Sequence, residues 1–131
     1  MACSPTPKPA IQGLDQFESA FMTRVVFICS QNKLRSPTAE QVFKDTPGLE
    51  VISRGTDATA REPLTADAVD WADILIVMEK HHRNKVQKKF KAIVSGKRLV
   101  VLDIPDEYEF MDPTLINLLK AKVARVLPSH R

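Results

Sequence analysis

Four short runs of β-branched and aliphatic residues recur along the chain, at Arg24–Ile28, Glu50–Ser53, Asp73–Met78 and Arg98–Leu102. Three of them lack apolar-polar alternation, which suits strands buried on both faces, as in a parallel sheet. Helical patterns fill the intervals. Ser36 and Pro37 open the first as N-cap and first helical residue, with Glu40 in its first turn, and it should stop at Lys44 or Asp45 before Pro47-Gly48. Thr65 caps a second, whose Val69 and Ala72 face inward. A third, basic helix runs from His81 to about Val94 with Val86, Phe90 and Val94 on one side. A fourth spans Pro113 to Leu127 with Leu115, Leu118, Leu119, Val123 and Val126 as its apolar stripe. Strand and helix alternate four times. That pattern predicts an α/β fold, a three-layer sandwich whose parallel sheet has right-handed crossovers and helices on both faces. Sites in such folds lie at the carboxyl ends of the strands.

The start of the chain breaks the pattern. Three alternate prolines in Met1–Pro9 deny it a helix or a sheet interior. Residues 1–21 read as a flexible arm, with at most a helical turn at Asp15–Phe21, and residues 22–131 as the folded domain. At 131 residues, 44% hydrophobic and 27% charged, the chain suits one globular domain with a core that needs no disulfide staples. Two cysteines, Cys3 and Cys29, exclude a disulfide-rich scaffold and a four-cysteine zinc site. No apolar run approaches the ~20 residues of a membrane span, and the arm lacks a secretory apolar stretch. The expectation is a cytoplasmic protein that does not engage membranes. A net charge of +3 favours anionic partners without naming nucleic acid, which is not an expected partner.

The chemistry concentrates after the first strand, in Cys29-Ser30-Gln31-Asn32-Lys33-Leu34-Arg35-Ser36-Pro37. A tight loop feeding a helix N-terminus gathers backbone N–H groups and favours an anion. Residues Ser30 to Ser36 are the candidate phosphate binders. Arg35 can grip two phosphate oxygens with its planar fork. A sulfur at Cys29 would feel both the helix end and the guanidinium, which favour thiolate over thiol and make it a nucleophile for phosphorus. Ser36 can stabilise that sulfur by a hydrogen bond. Asn32, mid-loop, tolerates a left-handed backbone. A proton donor for the leaving group is sought in Asp103–Asp112, the acidic loop after the fourth strand. Asp112 precedes a proline and reads chiefly as a helix start, and Asp103 as a strand end. Tyr108 and Phe110 either line the mouth of the site or cover the core.

Cys29–Glu40 resembles the phosphate loop of the low molecular weight protein tyrosine phosphatases: Cys, five residues, Arg, Ser, then Pro-x-Ala-Glu. Further similarities lie at Ser53-Arg54-Gly55-Thr56, at Ala60-Arg61 with Leu64-Thr65, at Ala72–Met78 and at Ile104–Tyr108, so that the resemblance covers residues 22 to 127. It implies a phosphotyrosine protein phosphatase I-like fold with a four-stranded parallel sheet, no metal or other cofactor, and a phosphocysteine intermediate. It also implies Cys29 as nucleophile, Arg35 as oxyanion ligand, Asp106 as general acid and Ser53 as a support for the loop. The implied substrates are phosphotyrosine proteins or small aryl phosphates, with inorganic phosphate and other oxyanions as ligands. The chain departs from the family as a divergent, bacterial-type member. Gln31 stands where a glycine is usual, Leu34 where animal enzymes carry a second cysteine, Glu107 where a proline follows the acid, and no histidine lies near Ala58.

The remaining features are weighed against plainer roles. Gly55 reads as a turn, Trp71 as packing for the second helix, and Arg54 and Arg61 as surface residues with an option on anion binding. Lys80–Lys91 is strongly basic and reads first as a solvated face. His81 and His82, ~100° apart on a helix, should diverge, so that with His130 in the tail no metal site is expected. Two other functions stay open: an anion-binding module without turnover, and an arsenate reductase, whose disulfide relay would have only Cys3 to draw on.

Overall fold

A computed structural model describes residues 22–127 of the chain. The arm with Cys3, the Asp15–Phe21 turn and the tail with His130 lie outside the described residues. Strands β1 (Thr23–Cys29), β2 (Leu49–Gly55), β3 (Ile74–Val77) and β4 (Arg98–Val101) form one sheet in the order β2-β1-β3-β4. Every pairing is parallel. Helices α1 (Arg35–Phe43), α2 (Ala66–Trp71), α3 (Lys80–Lys89), α4 (Lys91–Val94) and α5 (Pro113–Ala124) connect and flank it.

Pleating sorts β1 between two cores. Val25, Phe27 and Cys29 face one, built with Ala39 of α1 and Leu115, Leu119 and Val123 of α5. Val26 and Ile28 face the other, with Ala68 and Val69 of α2, Val86 of α3 and Val94 of α4. The unbroken apolar run of β1 is thus the mark of a central strand covered on both sides. Each buried aliphatic or aromatic side chain contributes roughly 1.5–3 kcal/mol. The Phe27 and Phe43 rings stack at 5.7 Å and fix the end of α1 against β1.

The elements fall where the pattern predicts, with three corrections. Ser36 is not the cap of the first helix: Leu34 precedes it without a side-chain cap bond, Arg35 is its first residue, and Pro37 sits third. The basic helix breaks at Phe90, which ends α3 and begins α4, so that Phe90 and Val94 pack on the same core from two helices. Helix α5 ends at Ala124, three residues before Leu127, although Val126 remains in the core. Thr65 caps α2 through Ala68 N–H as expected, and Trp71 packs beside that helix with the Arg24 guanidinium 5.8 Å from its ring centre. Among the described residues no helix is long and apolar enough to cross a membrane.

The strand order carries the functional consequence. From β1 the chain moves outward to β2 along one face of the sheet, then back past β1 to β3 along the other. Connections that part in this way leave a crevice beyond the carboxyl ends of β1 and β3.

Candidate active site

The loop Ser30–Leu34 fills that crevice. The segment after β2 takes up its carbonyls: Thr56 N–H donates to Cys29 O at 2.8 Å, Asp57 N–H to Ser30 O at 3.0 Å and Arg61 N–H to Gln31 O at 3.1 Å. The amide groups of residues 30–36, by contrast, donate to no protein acceptor among the described residues. A cluster of unpaired N–H groups in a loop with a left-handed residue is an anion-binding concavity. Asn32 is that residue, at φ 57°, and its Nδ2 donates to Ser36 Oγ at 3.0 Å. Gly55 serves this packing rather than a turn. A Cβ there would meet Ser30 O at 2.6 Å and Ala60 Cβ at 2.5 Å, so the absent side chain is what lets β2 lie against the loop.

One cavity of about 190 Å³ gathers Cys29, Ser30, Gln31, Lys33, Leu34, Arg35 and Asp106. Cys29 is buried, with Sγ 3.0 Å from Ser36 Oγ. The Ser36 hydroxyl has a second acceptor only at 3.4 Å, the Arg54 carbonyl, so a thiolate at Cys29 would take its proton. Arg35, a cation at the first turn of α1, would oppose the helix dipole if left alone. It is instead 3% exposed and held on three sides. Its Nη1 donates to Glu79 Oε1 and to Ile104 O, both at 2.7 Å, and its Nε lies 3.7 Å from Asp106 Oδ1. Asp106 is largely exposed at the rim.

Two contributors went unread in the sequence. Glu79, just beyond β3, anchors Arg35, and that guanidinium holds its carboxyl below the ordinary carboxylate range. His82, fully buried in the first turn of α3, accepts from Glu79 N–H through Nδ1 at 3.1 Å. Its Nε2 therefore carries the proton and donates to Ser30 Oγ at 2.8 Å. The loop thus has a histidine support, delivered from α3 and not from the vicinity of Ala58. The Glu-x-x-His capping pattern directly after a buried strand is the signal that would have found both.

Burial, with His81 and Arg35 nearby, pushes His82 down to about 4 from 6.5. The folded chain keeps it neutral where the unfolded chain would protonate it. Its stabilising contribution is therefore complete above pH 6.5 and is lost as pH falls to about 4, on the order of 3 kcal/mol in all. His82→Gln should melt at a lower temperature at pH 7 and then lose less stability across that window. Parallel melting-temperature curves for the two chains would refute the assignment.

Other expected site residues lie elsewhere. Ser53 does not reach the loop. It pairs with Phe27, two residues short of the strand end, and its hydroxyl donates to Glu40 Oε1 at 2.6 Å. Tyr108 packs against the core on the sheet face that α1 and α5 cover, and it does not line the cavity. Asp112 caps α5 by accepting from Thr114 N–H at 2.8 Å and does not line the cavity. Arg54 folds back onto the Ser53 carbonyl and Arg61 is exposed. The two histidines do not diverge: their rings lie 4.0 Å apart, because His81 reaches back to the Glu79 carboxylate while His82 takes the Glu79 amide. Glu79, His81 and His82 bring ligand atoms within 4.8 Å of one another. His82 already uses both ring nitrogens, one on the Glu79 amide and one on Ser30, so a metal there would have to break one of the bonds that build the site, and these residues do not fit as metal ligands.

No family model and no curated protein matches the chain. Solved structures do. The tyrosine phosphatase AmsI from Erwinia amylovora superposes with a TM-score of 0.66 at 21% identity, over 82% of this chain and 95% of that one. The tyrosine phosphatase Wzb from Escherichia coli K30, in complex with phosphate, gives 0.65 at 19%, over 80% and 96%. The YwlE arginine phosphatase from Geobacillus stearothermophilus gives 0.62 at 20%, over 83% and 99%. With its sheet order and its layers, the chain has the fold of the low molecular weight protein tyrosine phosphatases.

Proposed function

We propose that the chain is a cysteine-dependent phosphomonoesterase of this family, acting on phosphotyrosine in proteins or on small aryl phosphates. The observation that carries the reading is the single cavity bordered by Cys29, Arg35 and Asp106 and by a loop rich in unpaired amides. The similarly folded Wzb is known in complex with phosphate, which supports an oxyanion ligand for this chain.

In the first step the Cys29 thiolate attacks phosphorus while the ester bond breaks. Arg35 and the amides of residues 30–36 hold the non-bridging oxygens, and Asp106 gives its proton to the departing oxygen. The second step reverses the roles. Asp106 takes a proton from water, the water oxygen bonds to phosphorus, and the S–P bond breaks to return the thiolate, now stabilised by the Ser36 hydroxyl. His82 occupies the Ser30 oxygen with its own N–H, which leaves the Ser30 proton for a phosphate oxygen. In this reading the enzyme works in the cytoplasm.

The test is hydrolysis of p-nitrophenyl phosphate, inhibited by vanadate. Asp106→Asn should lower kcat by ~10²–10⁴-fold and change KM little, because its carboxyl acts on the leaving group. An unaltered kcat removes Asp106 from the mechanism. Phosphate binding without any turnover by the wild-type chain would replace the phosphatase reading with that of an anion-binding module.

A further inference from the structure

Helix α3 carries Lys85, Lys88 and Lys89 on one side, the spacing of neighbours on a helix surface. Together with Thr56, Asp57 and Ala58 they line a second, open cavity of about 670 Å³. Its one acidic wall residue is already engaged: Asp57 accepts from Lys85 Nζ at 3.2 Å and from the Gln31 side-chain amide. Lys88 and Lys89 have no carboxylate partner among the described residues. Gln31 also borders the cavity that holds Cys29. A hydrogen-bonded pair, Gln31 with Asp57, therefore joins the wall of the phosphate cavity to that of a basic one. Unlike a uniformly solvated lysine face, this arrangement gives the charge a definite place relative to the chemistry.

We propose that the groove between Lys88, Lys89 and the Thr56–Ala58 segment binds carboxylate side chains that flank the phosphorylated residue of a peptide substrate. The inference rests on the phosphatase reading and adds substrate selection to it. A folded-protein surface or a peptide whose phosphorylated side chain enters the first cavity must pass along one rim of it, and the Gln31 side leads onto the lysines. Acidic residues there meet two cations that have no carboxylate partner among the described residues. The gain is selective in KM, since these contacts form on binding and do not change at phosphorus.

The test compares phosphotyrosyl peptides with glutamates before the phosphotyrosine, after it, or absent, in 0.15 M salt, where charges beyond ~8 Å are screened. One acidic peptide should show a KM about fivefold below that of the neutral peptide, as two exposed ion pairs would give. Lys88→Gln with Lys89→Gln should raise that KM to the neutral value and leave kcat and the kinetics on p-nitrophenyl phosphate unchanged. Glutamine keeps the helix and avoids an acidic charge at its C-terminal end. Equal KM values for all peptides in the wild-type chain would overturn the inference while leaving the phosphatase reading intact. So would an equal loss on p-nitrophenyl phosphate in the variant. Oligonucleotide binding that vanishes in the variant, without any peptide preference, would give the groove to nucleic acid instead. A wild-type chain inert toward every phosphate ester would overturn both readings.

Discussion

Cys29→Ser is expected to abolish turnover of p-nitrophenyl phosphate, by a factor on the order of 10⁴–10⁶, as removal of a nucleophile does elsewhere. The substitution changes little else. Cys29 is 4% exposed at the end of a central strand, and a hydroxyl fits the space of its thiol. The contacts that shape the loop run through other atoms: Asn32 to Ser36, His82 to Ser30, and the carbonyl bonds from Thr56, Asp57 and Arg61. Arg35 and the unpaired amides persist. The variant should accordingly keep its affinity for inorganic phosphate and still gain thermal stability when phosphate is added, since a ligand that binds only the folded state raises the melting temperature. Loss of turnover together with loss of phosphate binding would mean that the sulfur organises the loop. Turnover within tenfold of wild type would remove Cys29 as nucleophile.

How much of this site was legible depended on how far its parts lie from one another along the chain. The loop from Cys29 to Ser36 is contiguous, and strand, loop and helix each leave local marks, so the meeting of Cys29 with Arg35 and the left-handed Asn32 are readable. The corrections come where contact partners are remote. Glu79 lies 44 residues from Arg35, and His82 lies 52 from Ser30. Their Glu-x-x-His pattern marks a helix cap after a buried strand, but it does not name partners so remote in sequence; only the strand order, which sets β3 beside β1, makes them neighbours. Ser36 was misread for a related reason. Its serine-proline start matches a helix cap, yet its hydroxyl is drawn to Cys29 and Asn32, and tertiary contacts displaced the local preference. Ser53 shows the precision that register demands: one pleat repeat, about 7 Å along a strand, decides between the loop and α1.

The strand order also governs the largest expected effect of a substitution that conserves charge. Arg35→Lys should lower kcat/KM on p-nitrophenyl phosphate by ~10²–10³-fold, the range for loss of a transition-state hydrogen-bond donor. In the proposed mechanism Arg35 does two tasks at once: Nη1 is committed to Glu79 and Ile104 O, while the rest of the planar fork would take phosphate oxygens. A lysine has one nitrogen for both. If it keeps Glu79, it cannot span two oxygens of the ligand. If it turns to the ligand, the Glu79 carboxylate loses the group that holds its charge, and Ile104 O is left buried without its donor. Vanadate inhibition should weaken along with turnover, because both need the fork. Glu79→Gln supplies the contrast, since a glutamine oxygen can still accept from Nη1; its loss should be smaller, about tenfold or less, because a hydrogen bond to a neutral acceptor is weaker than one to a carboxylate. Were Arg35→Lys to stay within threefold of wild type, the guanidinium would be serving the fold alone, holding β3 and the acidic loop together, and the oxyanion would have to be bound by the amides of residues 30–36 without it.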